Sequence, residues 1–431
     1  MIKIIRSGLG LEREPLKAPF GFKGRSLSEL WQVAARLESD SGGIGIGVGT
    51  QSVLWSDAAV FTQQDEEGGN RLMFQLTDYA LRRCEGCQYT RPDELIDQIL
   101  PDVMSRGRVL TGRESLRPTF ALNALVAVDN AAWQLYAGAR SESSFAKLTE
   151  DILPGPLAGQ PRLGNIPLIS YGTAPEDAAA LARGGCFVLK IKLGHDPAGD
   201  GDQEKMLKWD CGRLSALHAV LRECPSEFTA SGRVAYYLDA NGRYESVERL
   251  RRLLDHCDAI GAMDQIVLLE EPFPEALEVD VRDLPVCIAG DESVHAPEDA
   301  NARIDAGYRA LALKPVAKTL SMTLRIAAAA RARQVPCFCA DLTANPVLVD
   351  WGKNLAARLD PLPGLKAGVL ESNGSQNYRD WSRLLSYHPL PDGSWIQPRA
   401  GHFDLDSSFF ASAGGIFLRS PHYEALAPVG S

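Results

Sequence analysis

The sequence lacks what membrane-spanning and nucleic-acid-wrapping proteins need. No stretch approaches the roughly 20 consecutive apolar residues that cross a bilayer. Positive charge is in deficit, 45 Lys plus Arg against 55 Asp plus Glu, and the net charge of −10 gives no electrostatic footprint for nucleic acid or anionic lipid. Several catalytic signatures are missing too. No HExxH, no GxSxG elbow and no GxGxxG after a strand occurs, which sets aside zinc hydrolases, serine hydrolases of the elbow type and dinucleotide dehydrogenases. The seven histidines are scattered. The nine cysteines are odd in number, and Cys186, Cys287, Cys337 and Cys339 sit in apolar runs, as small hydrophobes do in a reducing compartment. The lone CxxC of Cys84 and Cys87 has no second pair at zinc-site spacing. Met1 to Lys17 carries Lys3, Arg6, Glu12, Arg13 and Glu14 with no unbroken apolar stretch, unlike a secretory leader. A cytoplasmic protein without nucleic-acid or membrane partners is the expectation.

What is present is enough apolar matter, 45% of 431 residues, for a large core and two domains. Residues 1–155 read as an α+β domain. Ile2–Ile5 is strand-like, Ser28–Ser39 is helix-prone, and Asp93–Ser105 and Thr119–Ala139 have helical periodicity. The run from Gly42 to Gly49 places glycine at every second position and no Lys-Ser/Thr follows, so it reads as a hairpin strand and not as a phosphate loop. After Pro154-Gly155-Pro156 the texture changes to short apolar runs alternating with helical stretches. The runs are Ile166–Tyr171, Cys186–Leu193, Val234–Leu238, Ile266–Leu269, Val286–Ala289, Ala310–Leu313, Pro336–Ala340 and Ala367–Leu370. Eight such runs fit a (β/α)8 TIM-type barrel over 156–379. Residues 380–431 break the alternation and are expected to pack back on the first domain, completing it as a cap.

The charges fall at one end of these runs. Side chains alternate faces along a strand, so in Phe187–Leu193 the amines of Lys190 and Lys192 share the face opposite Leu189 and Ile191 and are expected to point inward. Asp239, Glu270 and Asp291 each follow an apolar run, and Lys314 ends another, at spacings of about one β/α unit. Barrel active sites gather at the carboxyl ends of the strands. Three carboxylates converging there repel one another unless a cation neutralises them, and oxygen ligands favour a hard ion, magnesium most simply, with manganese as a substitute. Glu271 and Glu292 have the opposite parity and read as salt-bridge or hydrogen-bond supports of those ligands. Asn241 shares parity with Asp239 and reads either as a contact to metal or substrate or as a turn amide before Gly242.

These residues resemble the enolase superfamily, in particular the muconate lactonizing enzyme subgroup among the mandelate racemase relatives. The resemblance is carried by Lys190-Ile191-Lys192, Leu238-Asp239-Ala240-Asn241, Leu269-Glu270-Glu271-Pro272, Gly290-Asp291-Glu292-Ser293 and Leu313-Lys314-Pro315. Ala127–Trp133 is similar to the helix preceding the barrel in that family. The resemblance implies magnesium held by Asp239, Glu270 and Asp291, with Lys192 and Lys314 facing each other across a small carboxylate substrate. It implies that Lys190 contacts the substrate carboxylate and helps depress the pKa of Lys192. It further implies abstraction of the proton α to the carboxylate through an enediolate. A lysine on each side fits a racemase or epimerase; a cycloisomerase or dehydratase of the same subgroup, needing one lysine, is the alternative, and a non-catalytic metal-stabilised binding protein is a further one.

Departures from the family pattern bear on the substrate. Strand seven ends in Asp341, not histidine, against the branches that use a histidine base; Asp341 is expected to support the site from behind. Strand eight ends Glu371-Ser372-Asn373 where dipeptide epimerases carry Asp-x-Asp, so Glu371 and Asn373 are candidate specificity residues. Lys23 and Arg25 lie in the stretch corresponding to the cap loop that closes over the barrel, and are candidates for a second acidic group. The segment around 198–231 reads as an insertion, and a homo-oligomer is expected.

Overall fold

The computed structural model describes residues 1–22, 25–154 and 159–429, with side chains omitted at 20–22 and 25. Four strands open the chain, β1 (Ile2–Phe22), β2 (Arg25–Ser39), β3 (Ile44–Gln51) and β4 (Gln88–Tyr89), in an antiparallel sheet ordered β3-β2-β1-β4. The stretch Ser28–Ser39, helix-prone by composition, is strand. It lies in the middle of the sheet with β1 along one edge and β3 along the other, and that two-sided pairing overrides local propensity. The alternating glycines of β3 have a packing reason. The helix Pro118–Arg140 lies directly on that strand, and a Cβ at Gly47 would sit 1.8 Å from the carbonyl oxygen of Ala127 and at Gly45 2.1 Å from that of Ala131. A glycine at every second position lets helix and strand backbones touch.

The chain then enters a ten-stranded sheet: β5 (Arg162–Ile166), β6 (Leu168–Ile169), β7 (Val188–Lys192), β8 (Ala235–Asp239), β9 (Ile266–Glu270), β10 (Ile288–Gly290), β11 (Ala310–Leu313), β12 (Cys337–Cys339), β13 (Gly368–Glu371) and β14 (His402–Asp404). Strands β6 to β13 pair in parallel in sequence order, and β13 pairs in parallel with β5. Only Pro167 separates β5 from β6, so the first strand serves both ends of the series and the sheet curls round on itself. Each of the eight apolar runs contains or overlaps a strand. They read as runs because parallel strands are buried on both faces. Phe187, Tyr237, Leu268 and Phe338 pack together with Ala289 and Ala312 in one buried cluster.

Most of the segment expected to be an insertion is the crossover helix Gln203–Leu221 joining β7 to β8. The tail divides its contacts. Tyr423 of the helix Pro421–Leu426 packs with Ala34, Ile46 and Val48 of the cap sheet, whereas β14 pairs antiparallel with β5 of the barrel. Among the described residues no helix is long and apolar enough to cross a membrane.

Candidate active site

The register of the parallel strands brings the charged residues side by side. Lys192 is paired with Asp239 across β7 and β8, and Asp239 with Glu270 across β8 and β9. Lys314 follows β11, four strands round from β7, which in an eight-stranded cylinder is the opposite side. Backbone strain marks the same rim. Asn241 (φ 45°) and Glu271 (φ 37°) take left-handed conformations just past β8 and β9, and such conformations cluster at functional sites.

Lys190 Nζ lies 3.0 Å from Asp239 Oδ2, 2.8 Å from Glu270 Oε2 and 3.0 Å from Glu371 Oε2. Lys192 Nζ lies 2.8 Å from Asp239 Oδ2 and donates to Asn241 Oδ1. Lys314 donates to Asp291 Oδ2, and its Nζ stands 4.6 Å from the ring centre of Trp55, a cap residue. All six of the lysines and candidate ligands are buried. Glu271 Oε2 accepts from the Asp291 backbone N–H at 2.7 Å and from the Ser293 hydroxyl at 3.0 Å, and Asn241 Nδ2 donates to Glu292 Oε1 at 2.9 Å. Asp341 stands behind the site through Glu371: its oxygens accept from the N–H groups of Leu342, Ala344 and Asn373, and its own N–H donates to Glu371 Oε2 at 3.1 Å. Asn373 Nδ2 donates to Glu371 Oε1 at 3.2 Å. Lys23 and the side chain of Arg25 lie outside the described residues.

One cavity gathers Lys190, Lys192, Lys314, Asp239, Asn241, Asp341, Glu371 and Asn373. Glu270 and Asp291 are not on its wall but are joined to it through Lys190 and Lys314. Its roof comes from the cap, through Leu16, Leu27, Leu30, Ser52 and Trp55.

Residues 174–359 match the family described as enolase C-terminal domain-like. That match runs from before β7 to past β12 and covers somewhat less than half of the chain. Comparison of the chain with curated protein sequences gives no match. Among solved structures, a mandelate racemase/muconate lactonizing protein from Herpetosiphon aurantiacus is 16% identical over 96% of this chain and 97% of its own, with a TM-score of 0.63. A dipeptide epimerase from Cytophaga hutchinsonii, solved with Mg and the dipeptide D-Ala-L-Val, is 17% identical over 88% of this chain and 89% of its own, TM-score 0.61. An N-succinyl Arg/Lys racemase from Bacillus cereus is 16% identical over the same shares, TM-score 0.62. At these identities the likeness is one of fold, and it extends through the cap as well as the barrel.

The clustered charges of the rim set the protonation energetics of two of its lysines. Burial pulls Lys190 and Lys314 down, but Asp239, Glu270 and Glu371 around the first, and Asp291 and Glu270 around the second, outweigh it and hold both above the ordinary lysine range. Burial likewise works to raise Asp239 and Asp291, yet their lysine partners hold both carboxyls below the usual range. Glu270 goes the other way, pushed well up by burial and by the Asp239 and Asp291 charges.

Whether these residues suit a divalent cation follows from their donor chemistry. Three buried carboxylates supply hard oxygen donors, and Glu270 Oε1 is buried with no hydrogen-bond partner among the described residues. The repulsion that raises Glu270 is what a cation relieves. The side chains stand on their lysines, and among the described residues no three His, Cys, Asp or Glu are already gathered as a ligand set. The donor set fits, with side-chain rotation from ammonium to metal.

Sequence reasoning missed five contributors. Tyr237, whose hydroxyl donates to Glu270 Oε2, shares parity with Asp239 and was visible by that rule. Lys318, four residues after Lys314, is signalled only by helical spacing. Trp55, Ser52 and Arg117 belong to the cap and carry no signal of their own.

Proposed function

We propose that this chain is a divalent-metal-dependent isomerase that moves the proton α to a carboxylate, a racemase or epimerase working with two lysines. The observation that carries it is the pair Lys192 and Lys314, buried on opposite sides of the barrel rim and opening into one cavity. The three acids Asp239, Glu270 and Asp291 would hold magnesium. A divalent cation there supplies electrostatic stabilisation of the negative charge that grows on a carboxylate as its α-proton leaves. Lys192 takes the proton from one face and Lys314 delivers one to the other; for the opposite enantiomer the roles reverse. Lys190, between Asp239 and Glu371, supplies further positive charge on the cavity floor. Asn241 fixes Lys192 through its side-chain oxygen while its amide holds Glu292. The cap, taken as 1–155 and closed by 380–431 over the barrel of 156–379, shuts water from the reacting face. The same reading places a homo-oligomer in the cytoplasm.

The test is α-deuterium incorporation in D2O with Mg2+, read by NMR on a panel of L- and D-configured carboxylates. Lys192→Ala is expected to abolish exchange from one enantiomer and Lys314→Ala from the other, each by a factor of at least about 100. Equal loss from both enantiomers in either variant, or no exchange with any member of the panel, contradicts the two-lysine reading.

A further inference from the structure

Lys192 ends β7, and the turn that follows it is held from outside the cavity. Every backbone polar group of Leu193 and Gly194 has a partner, and the partners come from separate places in the fold. The Leu193 N–H donates to the carbonyl oxygen of Asp239, at the end of β8, at 2.8 Å, and the Leu193 carbonyl accepts from the Tyr171 hydroxyl at 3.0 Å. The Gly194 N–H donates to both carboxylate oxygens of Asp210, at 3.0 and 2.9 Å, and the Gly194 carbonyl accepts from Arg243 Nε at 3.1 Å. Gly194 has φ 78°, and a Cβ there would stand 2.5 Å from Arg243 Cβ, so the turn needs glycine.

Asp210 is the charged member of this frame. It lies on the crossover helix Gln203–Leu221, is fully buried, and is not on the cavity wall. The Tyr244 hydroxyl donates to its Oδ2 at 2.6 Å. Trp209, the residue before it, packs edge-on against the His195 ring with centroids 4.6 Å apart, so the helix holds the loop by backbone and by ring. Burial pushes the Asp210 carboxyl up to about 7 from 3.8, against the pull of the Tyr244 hydroxyl and the Gly194 and His195 N–H groups. Among the described residues Asp210 makes no ion pair, and a buried carboxylate held by neutral donors alone is costly to keep. A position that needed only to fill space would carry an apolar side chain.

We propose that Asp210 is the positioning residue of Lys192: it fixes the backbone just past the strand end, and with it the point from which the Lys192 amine reaches the rim. This rests on the isomerase reading for what Lys192 does and adds what holds it there. Lys314 has no share in this frame. Its strand runs directly into the short helix Pro315–Lys318, whose last residue reaches the Asp291 and Val294 carbonyls. Loosening Asp210 therefore acts on one amine of the pair.

The experiment compares the parent with Asp210→Asn at pH 8.5, where the Asp210 carboxyl is ionised. The 1H–13C spectrum of protein labelled at lysine Cε, its signals assigned with Lys192→Ala and Lys314→Ala, requires no turnover. Asp210→Asn is expected to shift the Lys192 signal and to leave that of Lys314 in place. In the deuterium assay it is expected to slow exchange from the enantiomer that depends on Lys192 by roughly ten- to a hundredfold, the scale of a displaced reacting group, and from the other by less than about twofold. Tyr244→Phe, which keeps the carboxylate and removes one donor, is expected to show the same bias in smaller measure, and it decides the matter if the first variant does not fold. An unmoved Lys192 signal, equal movement of both signals, or equal loss from both enantiomers overturns the proposal. The expected shift in a protein that exchanges no α-proton sinks the isomerase reading alone.

Discussion

Lys318 offers the most direct perturbation of the rim away from the reacting face. It ends the short helix Pro315–Lys318, and its Nζ lies 2.5 Å from the carbonyl oxygen of Asp291, 2.8 Å from that of Val294 and 3.4 Å from Asp291 Oδ1. One ammonium thus pins the backbone at Asp291 and again three residues later. Burial pulls its pKa below the ordinary lysine value against the opposing pull of Asp291. Lys318→Met keeps most of the stem and deletes the charge. Two buried carbonyls then lose their donor, at about 1–3 kcal/mol each, and Asp291 loses one counter-charge. Relief of the ammonium's desolvation returns part of this, leaving a net loss of about 3 kcal/mol, at the lower edge of what breaking a buried pair costs. Urea unfolding at pH 7.5 measures that loss. Titration with Mg2+ measures the second consequence, an affinity roughly tenfold weaker, because groups that orient metal ligands carry that much. Unfolding within about 0.5 kcal/mol of the parent together with unchanged Mg2+ affinity would refute the view that this ammonium holds the Asp291 loop.

Two further predictions concern the joint between cap and barrel. Asp129, on the cap helix Pro118–Arg140, is fully buried where it accepts the Ser321 N–H at 3.0 Å, and burial pushes its carboxyl up to about 7 from 3.8. The folded protein therefore keeps a proton that the unfolded chain releases between about pH 4 and 7, so stability falls as pH rises through that window, by up to about 4 kcal/mol from this group, and is flat above it. Asp129→Asn should remove that part of the slope in urea unfolding at pH 4.5 and 7.5; an unchanged difference between the two pH values counts against it. Arg117 joins Glu275 (2.8 Å) and the Glu292 carbonyl (3.0 Å) of the barrel to the carbonyls of Trp55 (3.2 Å) and Ser56 (3.1 Å) in the cap. Arg117→Ala should cost about 2–4 kcal/mol of stability and red-shift tryptophan emission as Trp55 loses its seat, and Arg117→Lys should not restore it, since an ammonium cannot span the same acceptors. Unchanged emission and stability would show that the Trp55 turn is held by other contacts.

The barrel was legible because strands buried on both faces are written as apolar runs, and each run is broken by a charge where it reaches the rim. Parity within Phe187–Leu193 was enough to turn Lys190 and Lys192 to one side. The same rule reaches Tyr237 but not Ser28–Ser39, where propensity favoured helix and the neighbouring strands decided otherwise. Trp55 and Ser52 were illegible for a different reason. Their place on the cavity depends on how a cap turn docks over the strand ends, a contact between residues far apart in the chain.

Protonation state is a still more collective property. Lys190 meets carboxylates delivered by β8, β9 and β13, and their sum outweighs burial. Asp239 serves two lysines at once, and Asp291 serves Lys314 and Lys318. Any group that draws these carboxylates away from the amines lowers the lysines by the same electrostatics that now raise them. Base strength and cation binding at this rim are thus two readings of one set of charges, coupled by geometry that register across three adjacent strands imposes.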